Sequence, residues 1–249
     1  MAEAVGYASL PCAQEAPAAS TLVIKHDRLF LVTTARGDIT PPGNCSLGLF
    51  HEDTRILSHY ALRVHGGPPS LLSAEVARTY GGQVDLAVKD AAFGGDPWDP
   101  KHAVHIRREL LLSDRLTERV TLTSYLPASL DYWIELVCGA DFADMFEVRG
   151  WRREARGEFF APRAETNCML FSYRGRDGRL LETVVAMARP PDEFGPGVAR
   201  WRFVLEHQAP QRVEWEVALD GTTVGPLPAG RQLEERRAEL EGSLALPRA

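Results

Sequence analysis

The chain has 249 residues, of which 45% are hydrophobic and 25% are charged, and its formal net charge is -6. It is long enough to bury a substantial core, as one large domain or two small ones, and its composition is that of an ordinary globular protein. The acidic balance argues against a nucleic-acid partner, which needs a concentrated basic face, and no apolar run approaches the roughly 20 residues of a membrane helix.

The first twenty residues contain no Lys or Arg and no continuous apolar segment, so residues 1–20 do not read as a secretory signal. Their Ala, Pro and Ser content predicts a flexible N-terminal segment. The four cysteines include no Cys-x-x-Cys pair, which argues against a zinc site, and are too few for a disulfide framework. They are Cys12, Cys45, Cys138 and Cys168. We therefore expect reduced thiols in a cytoplasmic protein, with no metal and no cofactor.

The folded region is predicted to begin at Thr21. A β-branched run covers residues 21–24, a second strand covers 29–34, and a Pro-Pro-Gly-Asn break follows at 41–44. Residues 60–64 then alternate apolar with polar or small side chains, which is the period of a half-buried strand. A strand every dozen residues or so, punctuated by Gly and Pro, is typical of an antiparallel sandwich or barrel.

The same alternation recurs along the rest of the chain. Further predicted strands fall within residues 84–89, 104–107, 116–123, 132–137, 201–205 and 213–220. We predict an all-β fold with little helix, a large antiparallel β-sandwich over residues 21–225. Only residues 233–240 combine helix formers without Gly or Pro. Residues 226–249 are accordingly predicted to be a linker or short helix leading towards a part that this chain lacks.

Residues 48–58 place ionisable side chains between two apolar pairs. These side chains are His51, Glu52, Asp53 and Arg55. On a strand, Asp53 and Arg55 share a face and can pair with each other, and buried charges must be paired or hydrogen-bonded. Two interpretations stay open. The group is either a structural ion pair that fixes a strand end, or a polar cluster that lines a substrate-binding cleft.

A second acidic group, Asp141, Asp144 and Glu147, recurs at intervals of three, which one helical turn would place on one face. Glycoside hydrolysis needs two carboxylates about 5 to 10 Å apart across the scissile bond, so these residues could form an acid/base set. We favour a structural interpretation, in which apolar neighbours anchor the segment. The acids would then pair with arginines such as Arg149 in a salt-linked corner, and the chain would contain no catalytic residue.

Aromatic and histidine positions give weaker signals. Trp98, in a loop rich in Gly, Pro and Asp, is the best candidate for an exposed sugar-stacking platform, although it could instead plug the end of the sandwich. Trp133 and Trp215 lie in clean strand alternation and are predicted on a sheet face or in the core. His102 and His105 are three apart, so a strand would point them to opposite faces and a shared metal is not expected.

Three stretches carry a resemblance to a known family. They are Gly37-Asp38-Ile39, residues 48–58 and residues 141–150. Together they resemble the N-terminal domain of bacterial glycogen-debranching, amylo-α-1,6-glucosidase-type proteins, from about Leu29 to about Leu219. Glu52 stands where the family pattern leads us to expect a basic residue.

The resemblance implies a supersandwich that precedes a helical glycosidase barrel, and this barrel would carry the catalytic carboxylates. The chain would then be an accessory domain that packs on the barrel, shapes the cleft for an α-glucan and is inactive alone, with His51, Asp53, Arg55 and Trp98 as candidate substrate-binding residues. The alternative is a free-standing carbohydrate-binding or mutarotase-like sandwich, in which His51 would meet Asp53 or Asp144 in one concave face. A scaffold with no small-molecule site is a third possibility.

Overall fold

The computed structural model describes residues 21–40, 46–88, 104–219 and 232–245. Strands make up about 60% and helices about 7% of the structure, whereas an average globular protein is roughly one-third helix. The all-β antiparallel prediction is therefore confirmed. Trp98, His102, Cys12 and Cys45 lie outside the described residues, while Cys138 and Cys168 are free thiols.

The described strands form three antiparallel sheets. In chain order the strands are β1 (Thr21–His26), β2 (Leu29–Thr34), β3 (Gly48–His51), β4 (Thr54–Leu57), β5 (His59–Val64), β6 (Ser70–Arg78), β7 (Gly81–Ala87), β8 (Val104–Leu112), β9 (Leu116–Ser124), β10 (Leu130–Gly139), β11 (Glu158–Phe159), β12 (Arg163–Glu165), β13 (Cys168–Arg174), β14 (Leu180–Met187), β15 (Glu193–Gly195), β16 (Val198–Leu205) and β17 (Gln211–Leu219). The helices are α1 (Met145–Val148) and α2 (Gln232–Ala245). No helix in the described part of the chain is long and apolar enough to cross a membrane.

One four-stranded sheet has the order β1-β2-β3-β4, and a second has the order β15-β16-β10-β5. The nine-stranded sheet runs β11-β13-β14-β17-β9-β8-β7-β6, with β12 also paired to β13. Trp201 on β16 and Trp215 on β17 are both fully buried and stack with ring centroids 5.6 Å apart. Because these strands belong to different sheets, the stacked indoles mark the core between the layers, and the large burial of each ring stabilises it.

A charged network lies inside the core. Arg108 on β8, which is 0% exposed, donates from Nε to Oε1 of Glu118 at 2.6 Å and from Nη1 to Oδ1 of Asp38 at 2.6 Å. The hydroxyl of Tyr60 donates to Glu118 and accepts the indole N–H of Trp215. Burial opposes the charge of Arg108, but the two carboxylates more than offset this and leave its pKa above the ordinary value.

The backbone next to the network passes close to the guanidinium of Arg108. Gly37 has a φ of +79°, and a Cβ at this position would lie 3.1 Å from Cζ of Arg108. A larger residue would be strained by the backbone conformation and would crowd the buried charge. The Gly37-Asp38 pair is therefore used to hold Arg108 inside the sandwich.

Helix α2 packs on the outer face of the nine-stranded sheet. Its Leu233 and Leu240, seven residues apart, are buried in one cluster with Tyr80 and Leu111. Around this small apolar contact, Glu234 pairs with Arg119 through both carboxylate oxygens. The helix therefore lies against this domain, in the region where the sequence favoured a linker or short helix.

Candidate functional site

The segment 48–58 folds into the tight hairpin formed by β3 and β4. In its register Phe50 faces Arg55 and His51 faces Thr54, so residues 52 and 53 form the turn. Glu52 has a φ of +51°, a left-handed conformation that is uncommon outside glycine, and it pairs with Arg28 at 3.3 Å. The hairpin therefore presents His51 and Asp53 at its tip.

Arg55 pairs with Asp141, and not with Asp53 as the strand spacing suggested. Its Nη2 lies 2.5 Å from Oδ2 of Asp141 and its Nε 3.1 Å from Oδ1, and the backbone N–H of Arg55 donates to the carbonyl of Ala143 at 2.8 Å. Asp53 sits in the turn, whereas Arg55 lies beyond it on β4. A Cβ on Gly48 would come within 2.6 Å of Cδ of Arg55, so the glycine makes room for the arginine stem.

Asp144 and Glu147 form a capping box at the start of α1. Oδ1 of Asp144 accepts the backbone N–H groups of Phe146 and Glu147 at 2.9 and 2.8 Å, and Oε2 of Glu147 accepts the N–H of Asp144 at 3.1 Å. Such reciprocal bonds satisfy N–H groups that a helix start leaves unpaired. Both carboxylates are thus used to shape one turn of helix.

Arginines complete this acidic corner. Arg153 pairs with Asp144, and Nε of Arg156 lies 3.0 Å from Oε1 of Glu147, whereas Arg149 closes the helix through its backbone N–H. Burial raises the pKa of Glu147, and Arg156 opposes that rise. This arrangement supports a structural use of the acids, because each carboxylate is already hydrogen-bonded and ion-paired inside the chain.

Beside this corner lies an open cleft of about 740 Å³. One wall of the lining is the tip of the β3–β4 hairpin with His51 and Asp53, and another is the turn between β13 and β14 with Arg176 and Arg179. The capped segment that contains Asp144 also lines the cleft. The volume falls within the range of roughly 300 to 1,000 Å³ that is usual for small-ligand sites.

Two aromatic rings, Phe142 and Tyr173, belong to the lining of the cleft. The rings of Phe142 and Tyr173 stack with centroids 5.7 Å apart and an interplanar angle of 12°, and the Tyr173 hydroxyl accepts the N–H of Gly157 at 2.8 Å. Phe142 has a φ of +47°, which is a strained conformation for a bulky side chain. Phe142 lies between two anchored residues in the sequence. Asp141 is ion-paired to Arg55, and Asp144 caps helix α1.

The β13–β14 turn was not singled out from the sequence. Residues 174–179 read Arg-Gly-Arg-Asp-Gly-Arg, and two glycines spaced around charged residues are a hairpin signal that could have identified it. Its side chains line the same cleft as His51, and β14 meets the β3–β4 hairpin where Oγ1 of Thr183 donates to the carbonyl of Ile56 at 2.9 Å.

Exposed aromatic rings lie beside the cleft, on and after the capped segment. Phe146 is 65% and Trp151 is 74% exposed, and the backbone N–H of Trp151 donates to the carbonyl of Phe146 at 3.0 Å. Phe159 is also exposed, with the guanidinium of Arg156 4.8 Å above its ring. Phe146 is one of the apolar neighbours that the sequence predicted to anchor this segment, and its exposure corrects that prediction. Trp151 and Phe159 were not singled out as exposed rings, and Trp98 lies outside the described residues. In the described ranges, no group of three or more His, Cys, Asp or Glu residues could hold a metal ion.

Comparisons with known proteins place these features in a family. The family described as the N-terminal domain of some glycogen debranching enzymes matches residues 24–216. No curated protein sequence matches the chain.

Solved structures with similar chains include one described as a candidate kojibiose phosphorylase from the human microbiome, with 12% identity and a TM-score of 0.45, and HI1317, with 7% identity and a TM-score of 0.36. The alignments cover 90% and 80% of this chain, respectively. This chain spans 31% of the first of those structures and 92% of the second.

Proposed function

The chain belongs to the family of N-terminal domains of glycogen debranching enzymes, and from this membership we propose that it is the accessory domain of an α-glucan debranching glycosidase. In this proposal it packs on a helical-barrel catalytic domain and shapes one side of the substrate cleft. The barrel supplies the catalytic carboxylates, and this chain supplies none.

The exposed aromatic rings beside the capped segment carry this proposal. Two large rings, which are 65% and 74% exposed, present apolar surface to solvent on and directly after a segment that is ion-paired to the β3–β4 hairpin. Such surfaces on globular domains commonly mark an interface. The capped acids support the same conclusion, because a hydrolase needs two carboxylates held free around the scissile bond.

The 249-residue chain should release no glucose from glycogen limit dextrin and should bind a hydrophobic dye. Replacing both Phe146 and Trp151 with Ser should reduce dye binding, because it removes the exposed rings. The matched control is Tyr125→Ser, since this exposed tyrosine follows β9 at the end of the sheet opposite to Leu219, where the cleft lies. Adding the barrel domain in trans should suppress dye binding to the unaltered chain.

Two results would contradict the proposal. Steady glucan hydrolysis by a monodisperse monomer, abolished by Asp144→Asn without a change in the urea midpoint, would make the capped acids catalytic. Acceleration of glucose mutarotation that is lost in His51→Ala would favour the mutarotase-like alternative, which one observation supports: His51, Asp53 and Asp144 all line the same cleft.

A further inference from the structure

The ionisable side chains of the cleft divide into two groups. One group has structural partners: Glu52 pairs with Arg28, while Asp144, Glu147 and Arg153 are joined in the capped corner. Asp177 also belongs to this group, because its Oδ1 accepts the backbone N–H of Arg179 at 3.1 Å. These side chains hold the walls of the cleft in place.

The second group consists of side chains without a structural partner in the described part of the chain. Within the described residues, the side chains of His51, Asp53, Arg176 and Arg179 make no hydrogen bond or ion pair. His51 and Asp53 belong to the hairpin wall, and the two arginines belong to the wall formed by the β13–β14 turn. Hydrogen-bonding groups of both signs are therefore available in one cleft, which Phe142 and Tyr173 also line.

The charges of the lining indicate the class of ligand. Five carboxylates and three arginines line the cleft, so a phosphate or another anion would meet a net negative surface. A neutral polyol meets no such barrier. Each sugar hydroxyl both donates and accepts a hydrogen bond, so it can use a carboxylate on one wall and a guanidinium on the other.

We propose that this cleft is itself a sugar-binding subsite that takes a neutral α-glucan segment between His51 and Asp53 on one wall and Arg176 and Arg179 on the other. The choice of an α-glucan among neutral sugars rests on the proposed function. The subsite lies on this domain and needs no residue from a catalytic barrel.

Calorimetric titration of the 249-residue chain with maltoheptaose tests the proposal. Asp53→Asn and Arg176→Ala, one from each wall, should each weaken binding by about tenfold, since each removes a hydrogen bond to a charged group. Asp131→Asn and Arg212→Ala are matched controls, because both side chains are exposed on strands outside the cleft, and they should leave the affinity unchanged. Urea midpoints of all four variants establish that the fold is intact.

The probes separate the two proposals. No binding of maltoheptaose or of cellohexaose, or binding that the cleft variants do not alter, would overturn the subsite and leave the accessory role standing. Binding of cellohexaose but not of maltoheptaose, with the same loss in the cleft variants, would overturn the α-glucan assignment and with it the proposed function. Tighter binding of inorganic phosphate than of maltoheptaose would overturn the neutral-ligand argument.

Discussion

Arg55 ties the β3–β4 hairpin to the segment that carries α1. Its guanidinium contacts both oxygens of Asp141, and the Arg55 side chain is 13% and the Asp141 side chain 27% exposed. A two-point contact of this kind fixes orientation as well as distance. The pair thereby sets the position of Phe142 and of the capped corner relative to the cleft.

Arg55→Ala should lower the free energy of unfolding by about 3 kcal/mol, because it leaves the carboxylate of Asp141 partly buried without its partner. Asp53→Asn is the matched control and should change stability by less than about 0.5 kcal/mol, since Asp53 is exposed in the turn. Urea titration of the two variants gives both values. Equal losses of stability in the two variants would indicate that Arg55 pairs with Asp53, as the strand spacing had suggested.

At the scale of elements, α2 combines a small apolar contact with ion pairs. A helix of 14 residues is marginal by itself in water, so its stability here comes from docking. Besides the Glu234–Arg119 pair, Arg236 lies 3.5 Å from Glu216 and Arg237 lies 3.7 Å from Glu109. Its docking should consequently depend on pH and on salt.

Glu234→Gln should destabilise the chain by about 1 kcal/mol at neutral pH, because the Glu234 side chain is 62% exposed and solvent screens the pair. The hydrogen bonds from Arg119 lower the pKa of Glu234 to about 2. Because the pKa of Glu234 is lower in the folded state than in the unfolded chain, its ionised form stabilises the fold at pH values above about 4.5. This contribution is lost as the pH falls from about 4.5 towards about 2.

Urea midpoints of the parent and Glu234→Gln, measured from pH 7 down to pH 3, should converge as the acid is protonated. Glu235→Gln is the control, because this neighbouring exposed acid makes no ion pair within the described residues. A difference between parent and Glu234→Gln that stays constant over this pH range would show that the Arg119 pair does not hold the helix.

At the scale of the whole molecule, the Arg108 network joins elements that are distant in sequence. Asp38 follows β2, Tyr60 lies on β5, Glu118 lies on β9 and Trp215 lies on β17, and all of them meet around one guanidinium or its partners. The network therefore connects the four-stranded sheet that contains β5, the nine-stranded sheet that contains β8, β9 and β17, and the segment that follows β2.

Arg108→Met should lower the free energy of unfolding by about 3 to 5 kcal/mol, because two buried carboxylates lose their counter-charge. Arg63→Met is the control, since Arg63 is exposed on β5, and it should cost less than about 0.5 kcal/mol. Adding Glu118→Gln to Arg108→Met should recover part of the loss, because it removes one uncompensated charge. A loss no larger than that of Arg63→Met would mean that the network does not stabilise the sandwich.

Local sequence patterns were enough to predict the fold class and the family. The half-buried strand β10 alternates at period two because one of its faces is partly solvated. β17 is buried on both faces, but it also alternates because Glu214 and Glu216 make one face polar, and in both strands this pattern is visible in one dimension. Other strands do not show it. β6 is exposed on both faces and its register with β7 is interrupted twice, and β14 is a largely apolar run, so neither alternates cleanly.

The partners of the charged residues, by contrast, depend on contacts between distant parts of the chain. Arg55 and Asp141 are 86 positions apart and Arg108 and Asp38 are 70 apart, and sequence spacing can rank only neighbours such as Asp53. The cleft is likewise a product of strand order, since two of its walls come from hairpins that the chain forms more than 100 residues apart. A local pattern specifies which face of a strand is buried, whereas the contacts of a buried charge depend on which strands the fold brings together.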